Sequence, residues 1–262
     1  NDVIATTAVI TLEDSNDTGD DVGTLMNPIH TSVADLTVFT SAGSLFGNQF
    51  IREADGLIQI NLNSNAALIN LELTEGALHD ADTANDVIAT NAVITLEDAN
   101  DSGDDVGTLA DPIHTSVNSL TVFTSAGTAF GNQYLREANG LIQVSLVSSA
   151  ALINLKLTEG ALQDADTEND VIATTAVITL EDANDSGDDV GTLINPIHTS
   201  VADLTVFTSA GSVFGNQFIR ESDGLIQINL DSRAALINLK LTEGALQDSD
   251  SANDLIAAIS EI

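Results

Sequence analysis

The chain has 262 residues, 43% hydrophobic and 3% aromatic, and its 40 acidic residues against 6 basic ones leave a net charge of -34. That charge repels nucleic acid and anionic membrane surfaces, so cations are the natural partners. Positive mean hydropathy and many short β-branched runs exclude an acidic disordered tail.

Internal repetition dominates the sequence. Residues 1–84, 85–168 and 169–252 align without a gap, and residues 253–262 open a fourth copy that soon diverges. Within the first copy, strands are predicted at residues 3–6, 8–12, 36–40, 50–53, 57–62 and 68–73, from their Val, Ile, Leu, Thr and Phe content and from alternation such as Ile58, Ile60, Leu62 against Leu57, Gln59, Asn61. No window carries the spacing of an amphipathic helix. Breaks fall at residues 17–23, Asn27-Pro28, 41–43, Gly47-Asn48, Asp55-Gly56, 63–65, Glu75-Gly76 and 79–85. There is no cysteine to form a disulfide, and no apolar run reaches the roughly 18 to 20 residues of a membrane helix. Asn1 begins in mid-pattern, so any secretion signal or anchor is expected outside this segment.

Two architectures suit 84 residues of short strands. One is a parallel β-solenoid of three or four coils per copy, continuous through all three copies. The other is a string of β-sandwich domains. Scarce aromatics and the lack of a linker between copies favour the solenoid, whose narrow interior takes Val, Ile, Leu and Ala. Differences among copies mark the faces. Glu72 becomes Lys156 and Lys240, and Asn65 becomes Ser149 and Arg233, so these positions point outward. Phe50, Ile51 and Ile60 stay apolar in every copy and suit an inward face.

The segment 21–40, DVGTLMNPIHTSVADLTVFT, followed by IREADGLIQINL at 51–62, resembles the repeats of filamentous-haemagglutinin-like giant bacterial surface adhesins. Matching residues are Val22, Gly23, Thr24, Asn27, Pro28, Ile29, Thr31, Val33, Leu36, Thr37 and 53–57. The resemblance covers about half of each copy and implies a right-handed parallel β-helix, exported and displayed as a fibrous rod.

The stretch 12–23, LEDSNDTGDDVG, returns almost unchanged at 96–107 and 180–191 and is the main candidate site. Asp14, Asn16, Asp17, Asp20 and Asp21, with Asp98, Asn100, Asp101, Asp104 and Asp105, and Asp182, Asn184, Asp185, Asp188 and Asp189, supply the hard oxygen ligands Ca2+ takes. A solvated acidic loop is the alternative. The stretch is not an EF-hand, because Leu25 stands where a bidentate Glu is required. A second acidic group, Asp80, Asp82 and Asp86 with Glu75, joins one copy to the next and is a lesser candidate for a cation. His30, His114 and His198 recur one per copy, too far apart to share a metal, and read as single imidazoles in turns. Asn16, Asn100 and Asn184 open formal glycosylation sequons that turn composition explains.

No nucleophile elbow, cysteine nucleophile or phosphate-binding loop is present. The expected function is therefore a non-catalytic rod or fibre segment of an extracellular bacterial surface protein, for display, adhesion or filament formation. Its partners would be copies of itself and neighbouring repeats, with surface glycans or other cells as further candidates, and no cofactor beyond Ca2+. The alternatives are a calcium-rigidified array of β-sandwich adhesin domains and, more remotely, a β-helix enzyme acting on polysaccharides.

Overall fold

The computed structural model describes the chain apart from residues 1, 41–43, 66, 125–126, 209–211, 234 and 249–253 and the side chain at 150. Every regular element among the described residues is a β-strand. The chain divides into two compact units, Asn1–Leu135 and Arg136–Ile262, and the division falls inside the second copy of the repeat. Each unit is a parallel β-solenoid, and the two contain about 10 turns between them. Among the described residues strand pairing is parallel, and Thr24 and Asn27 form an antiparallel bridge at the tip of a loop. The antiparallel sheets of a sandwich are not what these residues build.

In the first unit each turn contributes two strands that meet at a bend. One ladder stacks Val3–Ile4, Ile29–Ser32, Gln49–Glu53, Leu68–Leu73, Asn91–Leu96 and Ser119–Thr124. The other stacks Thr7–Leu12, Asp35–Thr40, Gln59–Asn63, Val87–Ile88 and Ile113–Ser116. Stacking sets like on like. Leu71 faces Ile94 and Ile94 faces Val122, while Leu36 faces Ile60 and Val38 faces Leu62. All of these are essentially fully buried, each stabilising the fold by about 1.5–3 kcal/mol.

The second unit repeats this plan. Gln143–Leu157 runs through a bend and pairs with Val171–Leu180 on both sides of it, with a register shift between Ser148 and Leu152. Val171–Leu180 in turn pairs with Ile197–Ser200 through its first residues and with Asp203–Thr208 through its last. The ladders continue through Gln217–Glu221 to Leu236–Leu241 and Ile259–Glu261, and through Gln227–Asp231 to Leu255–Ile256.

The first copy contains seven strands, one more than its sequence suggests. The additional one is Ile29–Ser32. Its inward residue is Thr31, fully buried, so the apolar alternation that announces the other strands is missing. Seven strands at two per turn make 3.5 turns per 84 residues, about 24 residues a turn. Because the number is odd, a strand and its copy lie in different ladders. Thr7–Leu12 pairs with Asp35–Thr40 in the second ladder, whereas its copy Asn91–Leu96 continues the first. In the other unit Gln143 and its copy Gln227 are separated in the same way.

Phe50 falls on the outward parity with Arg52, opposite Gln49, Ile51 and Glu53, so the inward face expected for it belongs to its neighbours. Glu72 and Lys156 are half-buried and Lys240 is exposed, as their charge exchanges imply. Among the described residues no helix is long and apolar enough to cross a membrane.

Candidate functional site

The acidic stretch follows the strand Thr7–Leu12 and forms a loop closed on its own carboxylate. Asp14 is buried and accepts the Gly19 N–H at 2.5 Å. In the second copy Asp98 accepts the N–H groups of Ser102 at 2.9 Å and Gly103 at 2.7 Å, and Asp182 binds Ser186 and Gly187 likewise. The backbone enters the left-handed region at Asp17 and Gly19 (φ 57° and 74°). Asp is among the few non-glycine residues that tolerate this. Asn16 stays local, accepting the Thr18 hydroxyl at 3.0 Å, and Asp20 accepts the same hydroxyl at 3.0 Å.

The remaining carboxylates reach to the next turn. Asp17 accepts the Ser44 hydroxyl at 2.5 Å and the Leu45 N–H at 2.7 Å. Asp101 accepts the N–H and hydroxyl of Thr128 and the Ala129 N–H, at 2.5–2.6 Å. Asp185 holds Ser212 and Val213 in the same way. These bonds hold all three carboxyls below the ordinary aspartate range, the side-chain hydroxyl being the largest cause in each. Asp21 accepts the Asn48 N–H at 2.7 Å, and Asp105 and Asp189 do so from Asn132 and Asn216 at 2.6 Å.

The candidate ligands therefore do not converge as one set. Asp17, Asp21, Asp101, Asp105, Asp185 and Asp189 are directed to amides and hydroxyls of the adjoining turn. Asp98 and Asp104 do come together, with Glu75 from the preceding turn, one oxygen of each lying within 4.8 Å of the others. Asp182 and Asp188 meet Glu159 likewise. Glu75 accepts the Asn100 N–H at 3.0 Å while Asp104 accepts the Gly76 N–H at 2.7 Å, so two successive loops bind each other reciprocally. Glu159 accepts the Asn184 N–H at 2.9 Å in the same fashion.

Polar side chains also lie inside the coils, at positions that composition and turn chemistry alone did not single out. Glu53 is fully buried. It accepts the Thr31 hydroxyl and the N–H groups of Val33, Ala54 and Asp55, satisfying two bends at once. Glu221 does the same for Thr199, Val201 and Asp223, and burial raises its pKa above the usual glutamate value. Gln49, also fully buried, donates its amide to the Val38 and Asn63 carbonyls. The signal available in sequence was the Thr31 to Glu53 separation, close to one turn.

Outside the coils, Arg52 binds Glu72 at 3.2 Å and Glu97 at 2.9 Å. Where Lys156 replaces Glu72, Glu181 takes both Arg136 at 3.0 Å and Lys156 at 2.5 Å. These pairs are half-exposed and contribute little to stability.

The acidic group at the copy junction is the more buried one. Asp80 and Asp86 are nearly inaccessible, and Asp86 accepts the His114 N–H at 2.7 Å. His30, His114 and His198 lie within the strands Ile29–Ser32, Ile113–Ser116 and Ile197–Ser200, not in turns, and the Nδ1 atoms of His114 and His198 are each 3.7 Å from Asp86 or Asp170. Each of these imidazoles meets a carboxylate of the preceding turn.

These features define the protein as a parallel β-solenoid whose loops are tied together by carboxylates. Comparison with protein-family models, curated proteins and solved structures finds no match to the chain.

Proposed function

We propose that the chain is a non-catalytic structural segment of an extracellular surface protein, one that displays loops from a stiff stacked backbone and serves adhesion or assembly with neighbouring repeats. The observation that carries this reading is the use made of the acidic loops. Asp17, Asp101 and Asp185 each spend their oxygens on hydroxyl and amide groups of the adjoining turn, which is the work of a scaffold. The resemblance of residues 21–40 and 51–62 to haemagglutinin-like adhesin repeats points the same way. Calcium belongs to the proposal as a stiffening ion shared between successive loops, at Glu75 with Asp98 and Asp104 and at Glu159 with Asp182 and Asp188.

The test is exposure on intact source cells. Antibody raised against the chain should label unpermeabilised cells or detect the segment in the medium, and brief protease treatment of the cells should remove it. Labelling only after permeabilisation would overturn the reading.

A further inference from the structure

Just ahead of the strand Val171–Leu180 the chain makes a tight acidic loop. Asp164 and Asp170 are nearly inaccessible, Asp166 sits at the surface, and one oxygen from each lies within 4.8 Å of the others. The backbone fixes all three. Asp164 accepts the Asp166 N–H at 2.8 Å, Asp166 accepts the Glu168 N–H at 2.8 Å and the Gln143 amide at 2.8 Å, and Asp170 accepts the His198 N–H at 2.7 Å. Three carboxylates held this close repel one another unless a proton or a cation lies between them.

A second observation comes from the neighbouring turn. His198 is 6% exposed, and its Nδ1 is buried without any hydrogen-bond partner, 3.7 Å from Asp170 Oδ2. A buried ring nitrogen left in this state is costly. The orphaned nitrogen thus lies beside Asp170, one of the three crowded carboxylates.

We propose that Asp164, Asp166, Asp170 and His198 form a binding site for a divalent transition cation of the Zn2+ or Mn2+ kind. Ligands around such an ion, at about 2.0–2.2 Å each, stand roughly 3 to 4.4 Å apart. The spacing found needs only a small contraction. One imidazole among carboxylates selects a borderline metal, whereas Ca2+ takes oxygen ligands throughout. The corresponding residues of the first unit also gather: Asp80, Asp86 and His114 are all buried, with ligand atoms within 4.8 Å of one another, and Asp82 lies nearby in sequence at the surface. At His30 the pattern is incomplete. Asp2 stands 3.7 Å from its Nδ1 and is mostly exposed, unlike the buried Asp86 and Asp170. Two ions are therefore expected per chain.

The experiment uses the full chain stripped with chelator. Calorimetric titration with Zn2+ should give two ions per chain, and the histidine ring nitrogens observed by NMR should shift for His114 and His198 but not for His30 and His79. Asp166→Asn changes an exposed side chain and should leave the fold intact by circular dichroism, yet weaken one of the two sites at least tenfold; His198→Gln should abolish that site. Absence of saturable Zn2+ binding overturns the proposal. So does equal response of all four histidines, or Ca2+ binding as tightly as Zn2+ with silent imidazoles, since each means the ion is drawn to the acidic surface in general.

Discussion

Thr31 donates its hydroxyl to Glu53 at 2.5 Å, from one turn of the solenoid to the next, with both side chains fully buried. The pair links two bends, because Glu53 also accepts the Val33 N–H at 3.1 Å and the Ala54 N–H at 3.0 Å. Glu53→Ala would strand those donors in a closed interior. A loss of about 3 kcal/mol is expected, since each unsatisfied buried group costs about 1–3 kcal/mol. Chemical denaturation checks the total, and hydrogen exchange should show the loss concentrated at Val33 and Ala54.

Stability should fall as pH rises from about 4 to about 8. Asp86 and Asp170 are pushed up to about 8, chiefly by burial, with the charges of Asp80 and Asp82, or Asp164 and Asp166, adding to it and the His114 or His198 N–H opposing it. A carboxyl whose pKa is higher in the folded state binds its proton more tightly there, so its stabilisation is full below about 3.9, the unfolded value, and is lost as pH climbs to the folded value. Asp17, Asp101 and Asp185 act oppositely: their pKa values are lowered, so their stabilisation is present above the unfolded value and lost as pH falls toward the folded one. In metal-free buffer the melting temperature should therefore peak near pH 4 to 5. A melting temperature that climbs steadily from pH 5 to 8.5 would contradict this assignment, and Zn2+ added at pH 8 should restore what the proton no longer supplies.

Asp101→Ala removes the acceptor for Thr128 and Ala129. The fold should persist while the N–H groups of those two residues exchange faster than in the parent chain. Unchanged exchange at both would show that the carboxylate is not what holds the adjoining loop.

At Gly47 an added Cβ would fall onto the carbonyl of Asp20 in the loop one turn earlier. Gly47→Ala must therefore open the contact between Gly47 and the loop around Asp20, at a cost of about 1–3 kcal/mol as in other overpacked sites. Thermal unfolding gives the loss, and Ala84→Gly, at an exposed loop position, serves as a mild control.

Calcium at millimolar concentration should raise the melting temperature if Glu75, Asp98 and Asp104 share an ion. Glu75→Gln with Asp104→Asn should then lower calcium stoichiometry by one. An unchanged melting temperature counts against any structural calcium.

The copies themselves made the solenoid legible. Charge exchange at residues 72, 156 and 240 marked an outward position, and alternation in residues 57–62 located the strand Gln59–Asn63 to within two residues. What stayed hidden has a common cause. Ile29–Ser32 carries Thr31 where a strand ordinarily places an apolar residue, because Glu53 of the next turn supplies its partner. A polar pair completed between turns leaves no periodicity in either segment. Missing that one strand gives six per copy, an even number, and six would stack every copy in register on the same ladders. In the acidic loop the residue types were evident, but which carboxylates converge depends on Glu75, contributed from another turn.

The half turn left over in every 84 residues has a genetic corollary. Near-identical tandem copies are prone to gain or loss of whole units. Removing one copy would join strands that still pair, yet every loop beyond the junction would emerge from the opposite edge of the coil. Removing two would return each loop to its original side. A change in copy number would thus preserve strand pairing while adding or removing stacked stability, and parity alone would set which edge of the coil each loop leaves from.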